Sequence, residues 1–174
     1  HALGCYGGTD IPTPNIDRLA AKGIRFTNHW AGSLPCMPAR RDIHTGRYNF
    51  LHRSWGPLEP FDNSFAKVLD QAGVYTHLVT DHYHYWEEGG CGYQNQYASF
   101  EFHRGQEKDK WKALVDLPVE RWKETHHPTR VTEQRDMELT VVNLINREFI
   151  QDEEDFSLVG TIADGIEFLE TNRH

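Results

Sequence analysis

Sulfur is scarce in this chain. Three cysteines (Cys5, Cys36 and Cys91) and two methionines are spread over 174 residues. An odd, sparse set of thiols excludes a disulfide framework, and no Cys-x-x-Cys pair is present to build a zinc knuckle. Long apolar runs are missing too: none approaches the roughly 18 residues a membrane span needs. The opening HALGCYGG has neither a basic segment nor an apolar core, so it does not read as a secretory signal, and the compartment stays open. There is no internal repeat and no low-complexity segment. Positive charge is short, with 18 Lys and Arg against 26 Asp and Glu and a formal net charge of −8. That balance excludes a general nucleic-acid binder, because phosphate contacts need a basic face.

What is present is enough for one domain with a real core. Apolar residues make up 38% of the chain, and five Trp and nine Phe argue against global disorder. Both ends read as cuts in a longer protein. The chain has no initiator methionine, opens inside a strand-to-turn sequence, and stops at TNRH just after a helical pattern.

Along the chain, Thr13 reads as an N-cap, Pro14 as the first helical residue and Gly23 as a stop, with Ile16, Leu19 and Ala20 as the buried stripe. IRFTNHW (24–30) alternates and predicts a strand. A helix follows from Cys36 to Thr45, ending at Gly46. NSFAKVLDQAG (63–73) is a helix capped by Asn63, with Phe65, Val68 and Leu69 facing inward. VYTHLVTD (74–81) and YASFEFHRG (97–105) are strands. Helix, glycine, strand is the rhythm of an α/β fold with a mostly parallel sheet. Residues 106–128 are polar, Trp-rich and without a clear period. Two helices are expected over 132–151 and 156–172.

The charge is uneven. Between residues 29 and 58 stand Arg40, Arg41, Arg47 and Arg53 against a single acid, Asp42. A basic window in an acidic chain suits a small anion; a solvated helix face paired to acids elsewhere is the other reading. Cys36 lies in this window, at the expected helix start. Pro35 and Pro38 fix the backbone around it, and Pro38 fits a first helical turn. A group there meets free N–H donors and the positive end of the helix dipole, and Arg40 lies one turn along the same side. Such a thiol is a candidate for a lowered pKa and for reactivity; a small buried cysteine preceding a helix is the alternative.

The spacing Cys36-x-Pro38-x-Arg40, with Ala39 at the small position, Ile43 at the aliphatic one and Thr45-Gly46 behind, resembles the signature of the type I sulfatases. The lead-in ALGCYGG…IPTPNIDRLAAKGIRFTNHWAGS is similar to theirs. The resemblance is strong over residues 2–47, weaker over 63–81, and only a compatibility beyond 105. It implies a three-layer α/β/α sandwich with a mostly parallel sheet, alkaline phosphatase-like and incomplete at both ends. Residues 1–174 would be the N-terminal part of a catalytic domain, lacking its first strand and C-terminal portion. It also implies a chemistry. A maturation enzyme converts the motif cysteine to formylglycine. One hydroxyl of the aldehyde hydrate, activated by a divalent metal, attacks sulfur; the alcohol leaves, and sulfate is expelled as the aldehyde reforms. Carried over, Cys36 is the nucleophile after modification and a metal ligand, Arg40 steadies the transferring group, and Pro38 belongs to the recognition signal. The metal is usually calcium, with manganese or magnesium as alternatives. The implied partners are a small-molecule sulfate ester and the formylglycine-generating enzyme, with no nucleic acid and no membrane span.

The family's second signature, G-Y-x-T-x-x-x-G-K-W-H, is altered here. Gly73 and Thr76 agree, but Asp81 takes the lysine place and the final histidine is displaced by one. His84 is therefore the candidate to protonate the leaving oxygen and, with His82 beside it, to bind the anion, at a strand end where open α/β sheets place their sites. Both also read as structural histidines of a polar loop, as do His126 and His127. Trp86 and Tyr93 either line a pocket or simply pack. The family's remaining metal ligands lie before and after this stretch. Cys36 is then the only one here, too few for calcium's six to eight oxygens, so little activity is expected of these residues alone. Two rivals remain: a phosphonate monoester or phosphodiester hydrolase of the same superfamily, and a non-catalytic anion-binding domain.

Overall fold

The computed structural model describes residues 2–89, 92–127 and 137–173. The chain forms two compact units that divide between Gly32 and Ser33.

In the first unit, helix α1 (Pro14–Lys22) begins as expected, with Pro14 where a missing N–H costs nothing. Thr13 does not cap with its side chain in the usual way. Its hydroxyl accepts from the Gly4 N–H at 2.8 Å and donates to the Asp17 carboxylate at 3.1 Å. Asp17 also accepts from the Cys5 N–H at 2.7 Å, so the tight turn Gly4–Tyr6 is pinned to the helix start. Two expectations fail here. Residues 24–30 form no strand and are exposed, because alternation supplies a face but not the partner strand that makes a ladder. Ile16 and Leu19 are 46% and 71% exposed, so the apolar stripe of α1 is not covered within its own unit.

The second unit holds α2 (Cys36–Thr45), α3 (Phe65–Gln71), β1 (His77–Thr80), β2 (Ser99–Phe102), α4 (Val119–Thr125), α5 (Met137–Arg147) and α6 (Ser157–Thr171). Helix α2 has the bounds its sequence predicts. Gly46 ends it at φ 66°, a left-handed turn glycine takes without strain, and its N–H closes on the Asp42 carbonyl at 2.8 Å. The expected helix over 132–151 is found from Met137 to Arg147; residues 132–136 lie outside the described residues. Helix α3 is capped at Ser64 rather than Asn63. Phe65, Val68 and Leu69, expected inside, stay 41–52% exposed, while Ala66 and Ser64 are fully buried. The small residues let α3 approach α2 closely, where Ser64 Oγ lies 2.9 Å from His44 Nδ1.

Strands β1 and β2 pair in parallel, His77 opposite Ser99 through Thr80 opposite Phe102. Alternation then sorts the two faces. On one, His77 contacts Ser99 Oγ (2.7 Å) and Glu101 Oε1 (3.1 Å) and stacks on Phe168 of α6 with ring centroids 4.5 Å apart. On the other, Leu78 packs against a buried cluster of Met37, Leu58, Tyr85 and Tyr93, and Trp86 stacks on Phe102 at 3.9 Å. The result is an α/β arrangement with helices on both faces of a parallel pair. No described helix is long and apolar enough to cross a membrane.

In the stretch without a period, residues 106–127 are ordered by polar anchors, and residue 128 lies outside the described residues. Asp109, fully buried, takes both ends of the Arg104 guanidinium, and its carbonyl accepts from Asn146 Nδ2 at 2.8 Å. Trp122 of α4 is buried and donates its indole N–H to Glu148 at 2.8 Å.

Candidate functional site

Helix α2 is held on its inner side. Arg41 makes a two-pronged bond to Asp62 at 2.8 and 2.7 Å, and both side chains are buried. Asp62 also accepts from the Glu59 N–H at 2.9 Å. Burial pushes the Asp62 carboxyl up, but the Arg41 hydrogen bonds, the Glu59 N–H and the Arg41 charge together bring it below the usual carboxylate range. One turn further, His44 is buried among Phe65, Tyr93 and Tyr97. Burial, with the Arg40 charge second, pulls its pKa from 6.5 to about 4.

With that side anchored, Cys36 and Arg40 face the site. Cys36 is the first helical residue, half-buried against the Met37–Tyr85–Tyr93 cluster. The first i→i−4 bond runs from the Ala39 N–H to the Pro35 carbonyl, so the Cys36 and Met37 N–H groups precede the helical ladder. Arg40 donates from Nη1 to the Tyr85 hydroxyl at 2.8 Å, and its guanidinium lies 5.1 Å from the Tyr85 ring centre. Its Nε is buried with no hydrogen-bond partner among the described residues. Tyr85 stacks on Tyr93 at 4.9 Å. Burial raises its pKa against the opposing pull of Arg40, which keeps the phenol protonated.

The other wall comes from the carboxyl ends of the strands. Beyond β1, the His82 N–H donates to Thr80 Oγ1 at 3.0 Å, and both His82 and His84 are buried. His82 Nδ1 lies 2.9 Å from Glu107 Oε1, which makes Nδ1 the protonated nitrogen, while its Nε2 is buried without a partner. His84 stands between two carboxylates, Nδ1 2.6 Å from Glu87 Oε1 and Nε2 3.5 Å from Glu107 Oε2, with its ring edge-on to Trp55 and His82. Burial pushes the Glu107 carboxyl up, but the hydrogen bond and charge of His82, then the charge of His84, hold it below the ordinary value. Glu107 is the one non-glycine among the described residues with positive φ, 56°. Residues held there cost of order 1–3 kcal/mol and cluster at functional sites.

Four residues expected from sequence, Cys36, Arg40, His82 and His84, thus come from two distant segments to one place. Cys36, His82 and Glu107 each bring a donor atom within 4.8 Å of the others. One sulfur, one imidazole nitrogen and one carboxylate do not fit calcium, which takes six to eight oxygens. Glu107 and Tyr85 were not singled out by sequence reasoning. The signal for Glu107 is positional: it follows the carboxyl end of β2, beside that of β1. Asp81, in the family's lysine place, turns away and accepts from Ser157 Oγ at 3.0 Å. Tyr93 is fully buried in the Met37–Leu58–Tyr85 cluster, and Trp86, half-buried, packs against that cluster and stacks on Phe102. His126 contacts Thr125 Oγ1 at 2.8 Å and borders a hollow of about 510 Å³, lined also by Glu107, Asn143 and Arg147.

A sequence model of the sulfatase family matches residues 1–147. Arylsulfatase H of Canis lupus familiaris is 34% identical over 119 residues, covering 59% of this chain and 20% of that protein. Steryl-sulfatase of Rattus norvegicus is 38% identical over 91 residues, with 44% and 16% covered. The N-acetylgalactosamine-6-O-sulfatase of Bacteroides thetaiotaomicron is 44% identical over 86 residues, with 44% and 17% covered. The chain therefore spans about a fifth or less of the curated relatives it matches. No solved structure matches it. A family match over most of the chain, on top of a Cys-x-Pro-x-Arg helix start facing buried histidines, leads to one assignment: the chain belongs to the sulfatase family.

Proposed function

We propose that the longer protein containing this chain hydrolyses sulfate esters, with residue 36, matured from cysteine to formylglycine, as its nucleophile. The observation that carries this reading is the convergence of the α2 start, the Arg40 guanidinium and the pair of buried His82 with half-buried Glu107. Formylglycine supplies an oxygen nucleophile in place of sulfur. The chain's own residues supply the rest. Arg40, steadied by Tyr85, offers its unpaired Nε–H to an oxygen of the sulfate, and the first N–H groups of α2 add partial positive charge there. In its imidazolium form His82 carries a proton on each nitrogen: Nδ1–H is held by the Glu107 carboxylate, and Nε2–H is the one handed to the leaving alcohol oxygen. His84, flanked by Glu87 and Glu107, braces the pair and borders the anion.

Calcium is the metal the resemblance implies, but these donors do not fit it, and no step is assigned to a metal here. The parallel pair with helices on both faces is read as part of an alkaline phosphatase-like three-layer sandwich. These residues alone are expected to turn over little substrate. A maturation enzyme and a small sulfate ester are the partners this chemistry needs. The phosphonate reading stays open on one observation: Asp81 replaces the lysine and is committed to Ser157. The test is turnover of an aryl sulfate and an aryl phosphonate by the full-length, matured protein and its Cys36→Ala variant. Preferred, Cys36-dependent sulfate turnover supports the proposal. Phosphonate preference moves it to the rival, and activity that survives Cys36→Ala sinks it.

A further inference from the structure

We propose that the chain, while Cys36 is still a thiol, binds a zinc-class divalent ion between Cys36 Sγ, His82 and Glu107. Three observations carry this. The three donor atoms lie within 4.8 Å of one another, close enough for one ion to draw them together. Glu107 Oε2 is buried with no aligned hydrogen bond, and His82, only 5% exposed, turns Nδ1 to within 2.9 Å of Glu107 Oε1, a spacing close to that of two ligands on one ion. Buried polar atoms are rarely left so, and a bound cation is a standard explanation. The donors are a thiolate, an imidazole and a carboxylate. That mixture suits zinc and its neighbours, with an open fourth position for water, and excludes calcium and magnesium, which require oxygen.

The donors are also well supported. Cys36 starts a helix anchored by Arg41 and His44, and His82 is fixed by its N–H bond to Thr80. Glu107 is held in a left-handed backbone turn just ahead of the buried Asp109. Thiolate and carboxylate together neutralise a divalent ion; the thiol proton leaves to solvent as the metal–sulfur bond forms, and His82 binds through Nδ1 as the tautomer that carries its proton on Nε2. The site does not depend on the sulfate-ester reading.

The test uses protein made without a maturation enzyme, in a Cys5→Ser, Cys91→Ser background that leaves Cys36 as the one thiol. Titration with Co²⁺ under reducing conditions should give a sulfur-to-cobalt charge-transfer band that saturates at one ion per chain. Zn²⁺ should displace it, and Ca²⁺ should not. Cys36→Ser should abolish the band, and Glu107→Gln should weaken binding at least about tenfold. X-ray absorption of the zinc form needs no variant; it should show one sulfur at about 2.3 Å among lighter neighbours. No band, a band that persists in Cys36→Ser, displacement by Ca²⁺, or a zinc shell without sulfur would each overturn the proposal. The sulfate-ester reading would stand untouched.

Discussion

His44 offers a test of how α2 is held. Its ring is buried at the C-terminal end of the helix that begins with Cys36, against Ser64, Phe65, Tyr93 and Tyr97. Burial lowers its pKa from 6.5 to about 4. The unfolded chain takes up a proton on this ring near pH 6.5, while the folded chain resists until about pH 4. Stability from this residue is therefore full above pH 6.5 and is lost as the pH falls toward 4. The shift corresponds to about 3 kcal/mol, a large share of the roughly 5–15 kcal/mol that holds a typical domain. Urea unfolding followed by tryptophan fluorescence, at steps from pH 7.5 to 4, would measure it in the wild-type chain and in His44→Gln. The variant should be less stable at pH 7.5 and should close most of that gap by pH 4. A wild-type-minus-variant difference that stays constant across the window would refute the reasoning, because the ring would then titrate alike in both states.

Asp62→Asn leaves Arg41 buried without its counter-charge and should cost about 3–5 kcal/mol in urea unfolding. Glu170→Gln, which breaks an exposed pair with Arg173, should move the midpoint by less than about 0.5 kcal/mol in the same assay. In the matured full-length protein, His82→Gln should lower kcat/KM by about 10²–10⁴-fold for esters with poor leaving groups and far less for activated aryl esters; equal losses on both would deny His82 the acid role. Arg40→Lys, which loses the fork seated on Tyr85, should cut kcat/KM by about 10²–10³-fold with the fold intact by circular dichroism.

What could be read from the sequence was what is local. The Cys36–Thr45 helix, its proline in the first turn and its glycine stop are determined within a dozen residues, and so is the Cys36–Arg40 spacing. The histidines were found because they follow a strand that a glycine announces. Residues 24–30 misled because a strand exists only through a partner, which alternation does not name. Phe65, Val68 and Leu69 misled because α3 docks through its smallest residues, Ser64 and Ala66, and leaves its large ones outside. Glu107 was hidden for a third reason. It sits in an aperiodic stretch in a left-handed turn, and only the parallel pairing of β1 with β2 brings it to His82.

The central claim is that Cys36 exists to be converted. Co-expression of the chain with a formylglycine-generating enzyme, followed by the mass of the tryptic peptide FTNHWAGSLPCMPAR, tests it most directly. Conversion at position 36 makes the peptide lighter by the difference between a thiol and an aldehyde. A peptide that keeps its thiol, while a control sulfatase peptide is converted in the same cells, would contradict it and bring the non-catalytic anion-binding reading forward.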